Sequence, residues 1–354
     1  MRFIHALLQK YNIVTAKTKY LEEQVDEMQK KLAAFKKAKP KLLASVAKNE
    51  KLQPNEKEKE RSKIAQVESF LTMSISDLKD AIKWRDMTGT DIDSAKDLSL
   101  APSGKKLQEH KIPSFSILPG VTCPNKKECF GWCYAMGGHP MAWKAKSSPA
   151  RAMQTRYLGI SERDDFVDMM NKRLAKRKKD QPFRIHVTGD FHSPDYVKKW
   201  IEIVKDNPDR KFYAYTKSHQ MEGIKELENL PNMTVRQSYG GTDDDKLDSK
   251  KPHCKVFNTK EELDKAGYTE CTNDDRIAAD KKVVKLGIVK HGTRKYESQF
   301  KPYTHASVGE EELPVAHLYD QIDAPHHWDE DEEKAHNELG ADQTPSEWEK
   351  HLKS

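Results

Sequence analysis

The spacing of hydrophobic side chains changes along this chain of 354 residues, and the first spacing is that of a narrow helical stripe. Over residues 1–38 the stripe positions fall three and four residues apart, with charged residues around them. They are Ile4, Leu7, Tyr11, Val14, Thr18, Leu21, Val25, Met28, Leu32 and Phe35. So narrow a stripe predicts a coiled-coil helix that pairs with a second copy or with another helix. Packing of the helix on its own domain is the alternative, and Pro40 is predicted to end it.

Residues 39–68 are rich in lysine and glutamate and contain few large apolar side chains, so they are predicted to be a linker or a solvated helix. Residues 39–104 together are predicted to be a charged linker with one short helix. Lysine and glutamate alternate at 56–60, which is typical of a solvated segment. The short helix is predicted at 74–84. Residues 301–354 are acidic and low in apolar side chains, so they are predicted to form a flexible tail.

Residues 105–300, between these segments, alternate strand-like and helix-like patterns. Strands are predicted at 183–188, 211–216, 233–238 and 283–289, and helices at 165–178, 195–205 and 221–230. Helices that connect successive strands predict a parallel sheet, and hence an α/β domain. Such sheets bind ligands beyond the carboxyl ends of their strands, which here are residues 188–190, 216–218 and 237–238.

Composition narrows the class of protein. The 62 basic residues are offset by 56 acidic ones, and the net charge of +6 gives no general argument for a nucleic-acid partner. No apolar run reaches the roughly 18 residues that cross a membrane, and the first ten residues are too polar for an export signal. We therefore expect a cytoplasmic protein with no membrane partner, in which an odd number of cysteines stays reduced.

Three of the five cysteines, Cys123, Cys129 and Cys133, lie within one short segment. Thiolates this close in sequence converge when a metal ion or an iron–sulfur cluster holds them. A four-iron cluster on three cysteines keeps one iron open for a small molecule, whereas zinc needs a fourth ligand. The candidates for that fourth ligand are His139, Cys254, Cys271 and His253. Cluster, zinc and unliganded thiols all stay open on these residues alone.

Two further features have competing interpretations. His186 alternates with Ile185 and Val187, so it is predicted to face the opposite side of its strand, as a substrate-facing or a core histidine. Three aspartates at 243–245 follow two glycines; a solvated loop is the favoured interpretation, and a cation site is the alternative.

The cysteine segment resembles that of a known superfamily. It follows a strand-like run, has Trp132 before its last cysteine, and precedes βα repeats, as in the radical S-adenosylmethionine superfamily. Short sequences make residues 105–295 similar to the phage gene product 88 family. They are 111–116 (KIPSFS), 133–135 (CYA), 184–191 (RIHVTGDF), 215–218 (YTKS) and 287–292 (GIVKHG).

The resemblance implies a partial (β/α) barrel and a cofactor site. Cys123, Cys129 and Cys133 would bind a four-iron, four-sulfur (4Fe-4S) cluster whose open iron binds S-adenosylmethionine. Their spacing, C-x5-C-x3-C, differs from the C-x3-C-x2-C of the superfamily. The residues implied at the cofactor are Trp132 beside the adenine, Gly189 and Asp190 at the ammonium group, and Lys217 and Ser238 at the carboxylate and ribose.

Two hypotheses of function follow. The first is an iron–sulfur protein that resembles radical S-adenosylmethionine enzymes, acts on an unknown substrate, and resides in the host cytoplasm if a phage encodes it. The sequence does not decide whether it is an enzyme. The alternative is a non-enzymatic, zinc-stabilised phage accessory protein that acts through coiled-coil assembly, as a homo-oligomer or with a helical partner, or through nucleic-acid contact.

Overall fold

The computed structural model describes residues 20–127, 129, 133 and 149–290. The helices in these ranges are α1 (Tyr20–Lys48), α2 (Pro54–Asp86), α3 (Ser94–Asp97), α4 (Lys105–Glu109), α5 (Pro149–Ser161), α6 (Phe166–Ala175), α7 (Pro194–Asp206), α8 (Ile224–Asn229) and α9 (Lys260–Lys265). The strands are β1 (Ser114–Phe115), β2 (Phe183–Ile185), β3 (Phe212–Thr216), β4 (Met233–Ser238), β5 (His253–Phe257), β6 (Thr269–Glu270) and β7 (Lys285–Val289). Single turns of 3-10 helix cover Asp244–Lys246 and Arg276–Ala279.

The strands form one parallel sheet of seven in the order β1-β2-β3-β4-β5-β7-β6. Phe212 lies opposite Met233, and Ser238 lies opposite Cys254. The predicted α/β class with a parallel sheet is therefore confirmed. The described strands show no pairing between the edge strands β1 and β6, so the partial barrel stays a prediction.

Each face of the sheet has its own core because alternate side chains of a strand point to opposite sides. On one face, Phe183 and Phe212 pack with Trp200 of α7. On the other face, Tyr213 and Leu286 belong to a second core, whose further buried members are Leu107, Ile112, Cys254, Cys271 and Ala278. The helices that connect β2, β3 and β4 cover the first face, and α4 with the segment before β7 covers the second.

A buried carboxylate closes the second face. Asp275 is fully buried, and it accepts hydrogen bonds from the hydroxyls of Tyr213 at 2.6 Å and Tyr215 at 2.8 Å. Its oxygens also lie 2.9 Å from the guanidinium of Arg184 and 2.9 Å from the ammonium of Lys106. Polar groups of the strands are thus bonded to the chain itself on this face.

The N-terminal helices pack on their own chain. Along α1 the stripe residues Leu21, Val25, Met28 and Phe35 are buried in one core with Leu71 of α2. Over residues 20–38 the helix therefore packs on its own chain, which is the alternative that the sequence left open. The coiled coil stays a prediction, and residues 1–19 lie outside the described ranges. No helix in the described part of the chain is both long and apolar enough to cross a membrane.

The predicted end of the first helix is wrong, since α1 continues through Pro40 to Lys48. Proline lacks an N–H donor, but the turns beyond it bury Leu42 and Val46 against α2, which favours the continued helix. The predicted linker contains a 33-residue helix, α2, of which the short helix predicted at 74–84 is the last third. Apolar positions at 64, 67, 71, 75 and 78 bury that helix despite its charges. The predicted domain boundary at residue 38 thus falls inside α1, and the other divisions of the chain stay predictions.

His186 does not face the side that alternation predicts. Strand β2 ends at Ile185, and His186 has a φ of 61°, in the left-handed region that non-glycine residues rarely adopt. This turn brings its ring to 4.8 Å from Phe191 and 6.2 Å from Trp200, among the residues of the first core. His186 is therefore a buried core histidine.

Candidate functional site

The site is built on the contact between the segment after β1 and the end of β2. The amide of Ile117 donates to the carbonyl of Thr188 at 3.1 Å, and the Thr188 hydroxyl donates to the Ile117 carbonyl at 3.0 Å. Gly189 follows with a φ of 81°, and a Cβ there would lie 2.5 Å from Ile117 Cγ1 and 2.8 Å from the Thr122 hydroxyl. Only glycine fits both the backbone and the space. Gly189 thus lets the segment that leads to Cys123 lie directly on β2.

The cysteine segment is also fixed to the loop after β4. The amide of Cys129 donates to the Gly240 carbonyl at 3.2 Å, and Lys126 forms an antiparallel bridge with Gly241. The side-chain amide of Asn125 donates to Asp243 at 2.6 Å, and the Asp244 carboxylate accepts from the amide of Gly240 at 2.8 Å. Two of the three aspartates at 243–245 therefore shape this loop and hold it to the cysteine segment.

Asp190 joins the carboxyl ends of β2 and β3. Its buried carboxylate accepts from the Thr216 hydroxyl at 2.5 Å, from the Lys217 amide at 2.9 Å and from the Phe191 amide at 2.7 Å. Burial raises its pKa even though these bonds act in the opposite direction. The oxygens of the Asp190 carboxylate thus already accept hydrogen bonds from the chain itself. One of these bonds fixes the backbone of Lys217.

Lys217 lies among the thiols. Its ammonium donates to the Ser238 hydroxyl at 2.9 Å, and Ser238 is paired with Cys254 in the sheet. A Cβ on Gly240 would lie 3.6 Å from Lys217 Cε and 3.7 Å from Cys129 Cβ, so these two side chains meet over that glycine. Burial acts to lower the pKa of Lys217, whereas Cys129, Cys254 and Asp190 together raise it by more. The pKa of Lys217 therefore lies above its ordinary value. The ammonium of Lys217 therefore stays protonated in this site at neutral pH.

All five cysteines are thiols, and the three of the segment are half-buried. Burial, with smaller contributions from Asp190 and Cys133, raises the pKa of Cys123 to about 12. Burial also raises the pKa of Cys129, although Lys217 acts to lower it. Within the described residues, no three histidine, cysteine, aspartate or glutamate side chains lie close enough together to hold a metal ion. The three thiols of the segment are thus close in sequence, but they are not grouped closely enough to ligate one metal ion.

The candidates for a fourth zinc ligand differ in how they are placed. Both ring nitrogens of His253 have partners, the Lys251 carbonyl at 2.8 Å and the Tyr268 hydroxyl at 3.1 Å. Cys271 is buried on the second face, 3.8 Å from the Tyr215 hydroxyl. Cys254 is buried beside Ser238 and Lys217. His139 lies outside the described residues, as does Trp132, the residue predicted to contact the adenine.

A stack of three rings beside this site was not predicted; His192 and Tyr196 are buried, and Tyr20 is half-buried. The rings of Tyr20 and His192 stack at 4.4 Å, and those of His192 and Tyr196 also stack at 4.4 Å. Glu162 closes the group, with its Oε1 3.4 Å from His192 Nε2. Burial lowers the pKa of His192 well below its usual value, with smaller contributions from His186 and Lys199. His192 follows Asp190 by two residues, which was the only signal for it in the sequence.

The Glu162→Gln variant is expected to lose less stability than the native chain between pH 5 and pH 8.5. Burial raises the pKa of Glu162 from 4.5 to about 7, so the folded state holds this proton more tightly than the unfolded state. Its contribution is complete below pH 4.5 and is lost as the pH rises through 7. A shift of this size corresponds to about 3 kcal/mol.

Denaturant unfolding at the two pH values measures this difference. The exposed Glu226, which pairs with Lys205 on the surface, is the matched control: Glu226→Gln should keep the pH dependence of the native chain. Identical pH dependences for Glu162→Gln and the native chain would show that Glu162 ionises normally in the folded state.

Six of the eight predicted site residues lie together at the carboxyl edge of β2, β3 and β4. They are Cys123, Cys129, Gly189, Asp190, Lys217 and Ser238. Cys133 is half-buried and contributes to the raised pKa of Cys123. The arrangement brings sulfur atoms, one ammonium group and a hydroxyl to one edge of the sheet.

Comparison with known proteins identifies relatives. A family model described as Gene product 88 matches residues 88–301. The Gene 88 protein of Mycobacterium phage L5 is 32% identical over 137 residues, and that of Mycobacterium phage D29 is 31% identical over 137 residues. Each match covers 36% of this chain and 55% of the relative, so the chain spans about half the length of the curated relatives it matches. No solved structure gives a significant match.

Proposed function

Because this chain belongs to the gene product 88 family of phage proteins, we propose that its carboxyl-edge site binds an iron–sulfur cluster through Cys123, Cys129 and Cys133. The observation that carries the proposal is the place of Lys217, whose half-buried side chain lies beside Cys129 and donates to Ser238. A cluster on three thiolates carries negative charge, and burying that charge is costly without a cation close to it. Lys217 supplies that cation.

The donor set fits the group, although the thiols do not converge in the described chain. Thiolate ligands must lose their protons, and burial holds the pKa of Cys123 at about 12 in the metal-free chain. Metal binding would displace these protons and draw the three sulfur atoms together, because sites of this kind form together with the metal. Gly240 and Gly241 fix the segment at its middle, so Cys129 would move least.

The polar groups at the edge would bind the second ligand. If bound there and reduced by an external electron donor, such a cluster would supply an electron to S-adenosylmethionine. Lys217 and Ser238 would bind its carboxylate and ribose, and Gly189 would allow close approach of the backbone. The carboxylate of Asp190 is already bonded to Thr216 and to the amide of Lys217, so in this proposal it positions Lys217.

The proposal places the protein in the reducing cytoplasm of the host, where thiolate-bound clusters persist. It names no substrate, because Lys217 and Ser238 are the polar side chains on which it relies among the described residues, and both are assigned to the cofactor. Zinc is the competing metal. Both nitrogens of His253 are occupied by Lys251 and Tyr268, so the described candidate for the fourth zinc ligand at this site is Cys254, which lies beside Ser238 and Lys217.

Metal analysis of protein purified without oxygen tests the proposal. The full chain is expected to contain about four irons and four sulfides with broad visible absorption, and Cys129→Ala is expected to lose most of both. Cys271→Ala is the matched control, since it removes a buried thiol from the second face and should keep the iron. One zinc and no iron would overturn the proposal in favour of a zinc-stabilised accessory protein, and neither metal would leave a thiol protein.

A further inference from the structure

Helix α1 reaches the cysteine site through Tyr20, the first of its described residues. The Tyr20 hydroxyl donates to the carbonyl of Val121 at 3.1 Å, two residues before Cys123. Its ring stacks on His192 with 4.4 Å between centroids and 22° between planes, two residues after Asp190. A single side chain thus touches both segments that converge on the site.

The ring on which Tyr20 rests is held firmly. His192 is stacked on Tyr196 with only 10° between the planes, and both residues are buried. The Tyr196 hydroxyl is 2.8 Å from His186 Nε2, which ties the stack to the end of β2. Because this platform is bonded to His186 at the end of β2, Tyr20 can hold the Val121 carbonyl at a fixed distance from that strand end.

The start of α1 is itself fastened to α2. The guanidinium of Arg85 donates to both carboxylate oxygens of Glu22, at 2.6 and 2.7 Å. A bidentate pair of this kind fixes direction as well as distance. Further along α1, the charges of Glu27 and Lys31 act on Lys126, so the helix continues past the cysteine segment. Helix α1 therefore lies beside the cysteine segment, and α2 holds α1 in place.

This hairpin precedes residues 88–301, the part of the chain that the family model matches. We propose that the α1–α2 hairpin forms one wall of the thiol site, and that Tyr20 is a positioning residue that sets the place and accessibility of Cys123. The inference deepens the proposed function and rests on it, because it concerns the same thiols. It assigns to a segment outside the matched region a direct part in the site.

The test measures how fast each thiol of the metal-free, reduced full-length chain reacts with iodoacetamide, resolved by mass spectrometry. Tyr20→Phe keeps the ring on His192 and removes only the bond to Val121. Loss of one ordinary hydrogen bond is expected to raise the rate at Cys123 roughly three- to tenfold. Cys254, buried in the same protein, is the internal reference and should keep its rate.

Tyr157→Phe is the matched control, since it also removes a tyrosine hydroxyl, one that is bonded to Ser99. It should leave the ratio of the Cys123 and Cys254 rates unchanged. A Cys123 rate in Tyr20→Phe within twofold of the native value would overturn the proposal. A parallel rise at Cys123 and Cys254 would also overturn it, because it would show general loosening. The alkylation rates are measured on metal-free protein, so they are independent of the iron content that tests the proposed function. Failure of one proposal can therefore be told apart from failure of the other.

Discussion

Replacing Asp275 with asparagine is expected to lower the free energy of unfolding by about 3–5 kcal/mol, the usual cost of removing one partner from a buried ion pair. The carboxylate is fully buried between the cations of Arg184 and Lys106 and the hydroxyls of Tyr213 and Tyr215. Asparagine keeps the shape and some hydrogen bonds but leaves two positive charges without their carboxylate. That uncompensated charge is the main cause of the expected loss.

The effect depends on pH in a defined direction. Burial raises the pKa of Asp275, but Arg184 and Lys106 lower it more, and the net pKa lies well below its ordinary value of 3.8. A carboxyl with a lowered pKa contributes stability that is complete above the ordinary value and is lost as the pH falls through the folded value. The difference between the native chain and Asp275→Asn should therefore be constant from pH 5 to 8 and shrink below pH 3.8.

Denaturant unfolding at pH 7 and pH 3 measures both parts of this prediction. The neighbouring Asp274 is the matched control, because its pair with Arg276 lies at the surface and exposed pairs contribute about 0–1 kcal/mol. Asp274→Asn should therefore remain close to the native stability at both pH values. If the two variants proved equally stable at pH 7, the carboxylate of Asp275 would not be holding the cations.

This cluster also limits where a ligand can bind. Tyr213, Tyr215 and Arg184 project from β2 and β3 into the second face, where the carboxylate of Asp275 occupies their polar groups. The carboxyl ends of the strands have Lys217, Ser238 and the half-buried thiols instead. A ligand is therefore expected to approach the strand ends, in line with the general rule for parallel sheets.

Local patterns were sufficient for the middle of the sheet. The predicted strand at 233–238 is β4 with the same bounds, and the predicted helix at 195–205 is α7 with one further residue at each end. Helix α7 has a continuous apolar face, and it is capped by Ser193, whose side chain accepts from the Tyr196 amide. Strand β4 has alternating apolar residues at Met233 and Val235. Strand β5 was missed, because His253 and Lys255 make a short strand look polar and its two parallel neighbours, β4 and β7, supply its pairing.

Long-range partners explain the other differences. The helix was predicted to end too early, because the covering of Leu42 and Val46 by α2 is a tertiary contact that the local sequence around Pro40 does not indicate. The edge site itself was predicted from strand ends, because that rule needs only the order of elements. Asp275 and Tyr20 were missed, since their partners lie 62 and 101 residues away in the chain.

The last large effect is expected at Arg236, in the middle of β4. Its side chain is fully buried and donates to four backbone carbonyls of one segment, those of Ala278 at 2.8 Å, Val283 at 2.7 Å, Asp280 at 2.9 Å and Ile277 at 3.2 Å. Leucine would leave these carbonyls without their donor, and each buried, unsatisfied group costs about 1–3 kcal/mol. Arg236→Leu should therefore lose about 4 kcal/mol or more.

A control on the same segment separates this cost from a general sensitivity. Lys281 donates from the exposed surface to the carbonyls of Glu228 and Leu230, and water can replace it there. Lys281→Met is thus expected to change stability by less than about 1 kcal/mol in the same unfolding experiment. The segment also covers Cys271, whose alkylation should become faster in Arg236→Leu as the segment detaches from the sheet. A stable Arg236→Leu chain with an unreactive Cys271 would mean that packing alone holds the segment over the second face.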